Sequence, residues 1–150
     1  MSEATVHASA VLIGARAALI RGPSGSGKSR LALALIDAAR TGLLRFARLV
    51  GDDRVHLEAI GGRLLVSPAP TLAGLIEVRG AGLKRLDYEP RAVVGLVIDL
   101  AAADAERLPQ AGQKSTQIEG IVLPRLAVAA QHAALPGVLA MINSPRDTWI

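Results

Sequence analysis

Eight residues, Gly22-Pro23-Ser24-Gly25-Ser26-Gly27-Lys28-Ser29, constrain the fold more tightly than any other stretch of this chain. Glycines at three of the first six positions leave the backbone free to turn tightly and to aim successive N–H groups at one point. An apolar run over residues 17–20 precedes them, and Leu31, Ala32, Leu33, Ala34, Leu35 and Ile36 follow with no polar interruption. A strand, a glycine turn and a helix accommodate all three stretches at once. The spacing is G-x-x-x-x-G-K-[ST], that of a loop whose amides and helix N-terminus cradle phosphate groups. All eight residues are therefore candidate ATP contacts. Lys28 would reach the β- and γ-phosphates, and the Ser29 hydroxyl would ligate Mg²⁺.

The rest of the chain predicts an α/β fold rich in strands. Residues 11–13 and 17–20 form two β-runs joined by a turn at Gly14-Ala15, and residues 28–39 form a helix that stops at Thr41-Gly42. Its apolar residues lie on nearly every side, as suits a helix buried against a sheet. "FARLVGDD" is β-rich, and residues 54–67 read as a hairpin turning at Gly61-Gly62. Thr71 is placed to cap a short helix after Pro68 and Pro70. "LIEVRGAGLKRL" leads into a proline-containing loop, and "AVVGLVIDL" reads as a buried central strand. "GIVLPRLAVAA" is a further strand candidate, and residues 135–143 a terminal helix. With no repeat or low-complexity linker, residues 1–150 read as one domain.

Composition narrows the partners. The chain is 51% hydrophobic but 2% aromatic, with Phe46, Tyr88 and Trp149 as its only rings, so the core is aliphatic. Stacking platforms for single-stranded nucleic acid need aromatic side chains, which argues against that class despite the net charge of +4. The arginines are scattered rather than gathered into a nucleic-acid arm or membrane patch. The absence of cysteine excludes disulfides, thiolate catalysis and cysteine-ligated metals. Met1-Ser2-Glu3-Ala4 lacks a signal-peptide pattern, and Arg16 and Asp99 interrupt the apolar runs before they could span a bilayer. A cytoplasmic protein with no membrane partner is expected.

Phosphoryl transfer also needs acids, for the metal and for the acceptor's proton. Two strand ends supply them: Asp99 in "VVGLVIDL" and the pair Asp52-Asp53 in "RLVGDD". An apolar strand ending in aspartate favours Asp99 as the metal ligand. The doublet is unusual in another way, because adjacent carboxylates repel unless a cation or proton is shared.

His7, "GPSGSGKS", "RLVGDDRV" and "LIEVRGAGL" together resemble the catalytic domain of the HPr kinase/phosphorylase family, whose members phosphorylate a serine of the phosphocarrier HPr. His7 stands fifteen residues before Gly22, as a histidine does in that family. Residues 49–55 match an L-[IV]-A-D-D-R-V stretch with Gly51 in place of alanine, and Glu77-Val78-Arg79-Gly80-Ala81-Gly82 matches E-I-R-G-L-G. The resemblance implies a P-loop kinase fold with a strand-rich mixed sheet around the Walker A helix. It implies Asp53 as general base and His7 beside it. Ser29 and Glu77 are implied as Mg²⁺ ligands, with Asp52 on the metal side, and Lys28 as the phosphate-binding lysine. Arg79 is a candidate phosphate or substrate contact, and Arg107 in Glu106-Arg107-Leu108 is the nearest match to a further family arginine.

Downstream, the family's P-x-R-P-G-[RK]-N loop has no counterpart, and residues 129–134 read Ala-Ala-Gln-His-Ala-Ala with His132 the one candidate phosphate contact. The implied activity is an ATP- and Mg²⁺-dependent protein-serine kinase with weak or absent phosphorylase activity. Its partner would be HPr or a nitrogen-branch HPr-like phosphocarrier, and a homo-oligomer is among the implied assemblies. No lid or nucleoside pocket is legible, so a docked acceptor protein would close the site. Lys84 and Arg85 are candidates for that docking. Two alternatives stand beside this reading. One is a small-molecule kinase using Asp99 for its metal; the other is a non-catalytic nucleotide- or phosphate-sensing module.

Overall fold

The computed structural model describes residues 4–143. Residues 1–3, where a signal peptide would begin, and Trp149 lie outside them. Ten strands and two helices are present among the described residues. The first hairpin joins β1 (Val6–Ile13) to β2 (Arg16–Arg21) through a left-handed Gly14, φ 63°. Strand β1 begins five residues earlier than its apolar pattern shows, because Val6 and His7 pair with another strand beyond the reach of the hairpin. Helix α1 (Lys28–Arg40) follows the glycine turn. Next come β3 (Ala47–Gly51), then β4 (Arg54–Ile60) and β5 (Arg63–Pro68), a hairpin whose two turn residues, Gly61 and Gly62, both have positive φ.

Pro70–Leu72 forms only a 3-10 turn, with Ala69 at its start and no side-chain cap, so Thr71 does not cap a helix. Proline fixes the first residue of that turn without help from a hydroxyl. The stretch after it is a separate two-stranded hairpin, β6 (Leu75–Val78) and β7 (Gly82–Arg85). The long apolar strand is β8 (Ala92–Leu100), followed by β9 (Ser115–Ile118), β10 (Ile121–Val128) and α2 (Leu135–Ile142).

Strands β2, β8 and β10 run parallel, with Arg21 beside Asp99 and Val128 beside Leu100. Their carboxyl ends therefore open on one crevice, the place where open α/β sheets bind ligands. The other pairings are antiparallel, and the hydrogen bonds run from β1 to β2, β8, β5, β4 and back to β1. Alternation along the strands divides the core. Val11, Ile20, Leu96 and Ile98 pack with α1 and α2, whereas Leu19, Val50, Val66 and Val97 fill the opposite side. Helix α1 buries Leu31, Ala32, Leu35 and Ala38 but leaves Leu33, Ala34 and Ile36 half-buried, so its apolar girth is only partly consumed by the sheet.

Candidate functional site

The glycine loop is shaped by contacts that a side chain would break. A Cβ on Gly22 would lie 2.5 Å from Ser26 Oγ and 3.1 Å from the Leu100 carbonyl oxygen. Gly27 takes φ 99° as the residue that opens α1. The first turn of α1 holds no acid, although its free N–H groups favour negative charge. Lys28 is buried to 8% exposure, and its Nζ donates to the carbonyls of Gly22 at 2.9 Å and Pro23 at 3.2 Å. Positive charge is thus gathered at a helix end that lacks a protein counter-ion in its own first turn.

The acidic pair sits where β3 gives way to β4, both of which pair with β1. Asp53 has φ 72°, and this left-handed residue throws its side chain away from its neighbour's. Asp52 points inward at 4% exposure. Its Oδ1 accepts from Ser9 Oγ at 2.6 Å, both its oxygens lie 2.8 Å from Ser29 Oγ, and its Oδ2 accepts from the Glu77 backbone N–H at 3.1 Å. No Lys, Arg or His among the described residues forms an ion pair with it. Asp53 points to the cleft with its side chain 59% exposed, and its Oδ1 is 3.6 Å from His7 Nε2. The repulsion expected of the doublet is relieved by turning one carboxylate inward and the other outward.

His7, Lys28, Ser29, Asp53, Glu77 and Arg79 line one open cleft of about 700 Å³ together with the glycine loop. Hairpin β6–β7 brings Glu77 and Arg79 to it, and Lys84 and Arg85 on the same hairpin are exposed outside its lining. Among the described residues no three His, Asp or Glu side chains gather into a metal cage. A divalent cation here would take Ser29, Asp52 and Glu77 as its protein neighbours and draw further oxygens from a bound phosphate. Gly51 fits a tight spot, since a Cβ there would meet Val55 Cγ1 at 2.7 Å.

Two sequence candidates fall elsewhere. Arg107 is exposed in the stretch between β8 and β9 and lines neither the cleft of His7 and Asp53 nor the second one beside the glycine loop. That stretch is tied down on the other side, where Gln113 Nε2 donates to Glu106 and Arg125 binds Asp104. Asp99 lies between Ile98 and Leu100, which face α1, so its side chain points through the sheet to the opposite face. Arg21 Nε meets its Oδ1 at 2.7 Å and Arg125 Nε its Oδ2 at 2.6 Å. Burial pushes the Asp99 pKa up, but the hydrogen bonds and charges of Arg21 and Arg125 outweigh it and hold the carboxyl below its ordinary value. Arg125 is raised above its ordinary value, first by its hydrogen bonds with Asp104 and then, against the cost of burial, by those with Asp99. A carboxylate neutralised twice by arginine is not a metal ligand for the loop, which removes the Asp99 alternative.

The sequence reading missed two features. Ser9, fully buried on β1, touches both acids. A second cleft of about 470 Å³ adjoins the glycine loop on the side of the parallel strand ends. Leu31, Ala34, Ala101, Ala130, His132 and Leu135 line it, so a pocket exists where none was legible. The convergence of three apolar parallel strands was the signal available for it.

A family model described as the HPr serine kinase C-terminal domain matches residues 1–134. The HPr kinase/phosphorylase of Neisseria meningitidis is 35% identical over 109 residues, 67% of this chain and 32% of that protein. The HPr kinase/phosphorylase of Limosilactobacillus reuteri is 32% identical over 136 residues, 83% of this chain and 40% of its own length. The chain thus spans about a third to two fifths of these curated relatives. Among solved structures, the Hpr(Ser) kinase/phosphatase from Coxiella burnetii superposes with a TM-score of 0.70 at 27% identity, covering 91% of each chain.

Proposed function

This chain belongs to the HPr serine kinase C-terminal domain family, and from that premise we propose that residues 1–150 form a single kinase domain. It transfers the γ-phosphate of ATP to a serine of HPr or of a nitrogen-branch HPr-like phosphocarrier, in the cytoplasm. The observation that carries the reading is the division of the acidic pair, with Asp52 buried on Ser29 and Asp53 open to the cleft beside His7.

The loop of residues 22–29 is then the phosphate loop and α1 the Walker A helix. Loop amides hold the phosphates at the helix N-terminus, and Lys28 exchanges its loop carbonyls for the β/γ oxygens. The second cleft receives the nucleoside by shape and apolar contact. Ser29, Asp52 and Glu77 would hold Mg²⁺, whose chemistry here is neutralisation of the phosphate oxygens. Ser29 suits this because its proton is given to Asp52, which leaves its lone pairs for a cation. Asp53 accepts the proton of the attacking serine as the oxygen–phosphorus bond forms, a task for which an unaided hydroxyl is far too weak an acid. His7 keeps that carboxylate turned to the cleft. A base with its side chain 59% exposed is reachable by a serine carried on a protein surface, and docking then excludes water. Arg79 lies on the rim as a contact for the incoming group. The reverse reaction is weak or absent, because segment 128–135, which borders the second cleft, carries no arginine or lysine to hold a free phosphate there.

The test is transfer of label from γ-labelled ATP with Mg²⁺ to purified HPr-type proteins. Asp53→Asn is expected to lower the rate by about 10²–10⁴-fold, and a serine-to-alanine acceptor to take no label. Absence of transfer by wild-type protein that binds ATP would overturn the reading and leave a nucleotide-sensing module.

A further inference from the structure

We propose that Ser9 is a positioning residue that locks the two acids of the site to each other. The proposal rests on the metal-side role read above for Asp52.

On β1, His7, Ser9 and Val11 share one face by the two-residue period of a strand, and Val11 packs in the α1-side core. Ser9 is the only polar residue between the cleft histidine and that core, and it is 0% exposed. A hydroxyl has one proton to give. Ser9 gives it to Asp52 Oδ1 at 2.6 Å, and its oxygen accepts the Asp53 backbone N–H at 3.4 Å. One side chain therefore holds the carboxylate of one acid and the main chain of the next. That second contact falls on the residue with φ 72°, where the two side chains are turned apart.

The other donors to Asp52 cannot replace it. Ser29 lies 2.8 Å from both carboxylate oxygens and has one proton to share between them, so Oδ1 has no undivided bond from it. The Glu77 N–H fixes Oδ2 alone and sits on the separate β6–β7 hairpin. Ser9 fixes Oδ1 from a central strand paired with β2, β3 and β4. It does not line the cleft, so it acts only through the two acids.

The experiment titrates Mn²⁺ by electron paramagnetic resonance in the presence of ADP, on wild type, Ser9→Ala, Ser9→Thr and Asp52→Asn. Binding of ADP in EDTA and the Tm are recorded alongside. Ser9→Ala is expected to weaken Mn²⁺ binding by about tenfold, the worth of a hydrogen bond to a charged group. It should lower kcat with little change in KM for ATP, while ADP binding in EDTA stays at the wild-type level. Ser9→Thr, which keeps the hydroxyl, should keep wild-type Mn²⁺ affinity. Wild-type Mn²⁺ affinity in Ser9→Ala beside a clear loss in Asp52→Asn would overturn the Ser9 proposal alone. Wild-type affinity in Asp52→Asn would overturn the metal role of Asp52 and this proposal with it. Equal losses of Mn²⁺ and metal-free ADP binding in Ser9→Ala would mark a merely structural residue and also overturn it.

Discussion

Asp52 and Asp99 are both buried aspartates beside apolar strands, at 4% and 9% exposure, yet their surroundings are opposite. Asp99 is clamped by Arg21 and Arg125, and Arg125 is held in turn by Asp104. Asp52 has two hydroxyls and one amide but no cationic side chain. Burying a carboxylate is costly, and the fold meets that cost at Asp99 with its own arginines. At Asp52 it leaves the charge for something else to balance, beside the end of α1 where Lys28 and the free amides face the cleft. The difference separates a carboxylate that ties strands together through arginines from one whose charge no cationic side chain among the described residues balances.

Four measurements can break or sharpen that contrast. The largest effect is expected from Asp52→Asn, which should lower phosphoryl transfer by roughly a hundred- to a thousandfold. Its Tm should fall less than that of Asp99→Asn: a buried charge without a counter-ion is removed, against the loss of a hydrogen bond at the oxygen that becomes an amide nitrogen. Asp99→Asn should do the reverse. Leaving two guanidinium groups without their shared partner should cost about 3 kcal/mol, a Tm fall of about 6–12 °C, with kcat at low temperature unchanged. If the two variants lose activity and stability together, the contrast fails.

The third measurement is stability against pH. The folded pKa of Asp99 lies below its ordinary value of 3.8, so its stabilisation is fully present above that value and is lost as pH falls through the folded pKa. Wild type should therefore show an extra acid-side decline below about pH 4 that Asp99→Asn lacks, checked by denaturant titration at a series of pH values. The smallest effect belongs to Asp104→Asn. Its side chain is 47% exposed and water can replace it at Arg125, so the Tm should fall distinctly less than in Asp99→Asn.

The sequence reading could see what local pattern encodes. The strand, glycine loop and helix over residues 17–40 were legible because two periodicities meet at a turn that only glycines permit. The β4–β5 hairpin was legible from Gly61-Gly62 for the same reason. Strand β9 was not: Ser-Thr-Gln-Ile is short and polar, and only its pairing with β10 makes it a strand. The family pattern singled out the acids and Glu77; the structure brings Asp53 and Glu77 to one cleft and buries Asp52 behind it on Ser29 and the Glu77 N–H. What stayed hidden depends on partners far away in the chain. The arginines that occupy Asp99 stand 78 and 26 residues from it, and Ser9 meets Asp52 across 43. Arg107 was placed by a short likeness within a loop whose anchoring no local pattern records.

The circuit of strands from β1 through β2, β8, β5 and β4 back to β1 has a consequence for how this molecule folds and reports on itself. Each link but the two hairpins joins segments distant in the chain, as when residues 17–21 align beside 94–99. Such non-local pairing makes for folding in milliseconds to seconds rather than microseconds. It also means that His7, Ser29 and Asp53 come together only once the circuit is closed. A nucleotide bound as proposed would recognise the native chain and not its unfolded ensemble, and its occupancy would shift the melting of the whole domain by mass action. Thermal shift with nucleotide would thus test the proposed cleft and gauge its affinity.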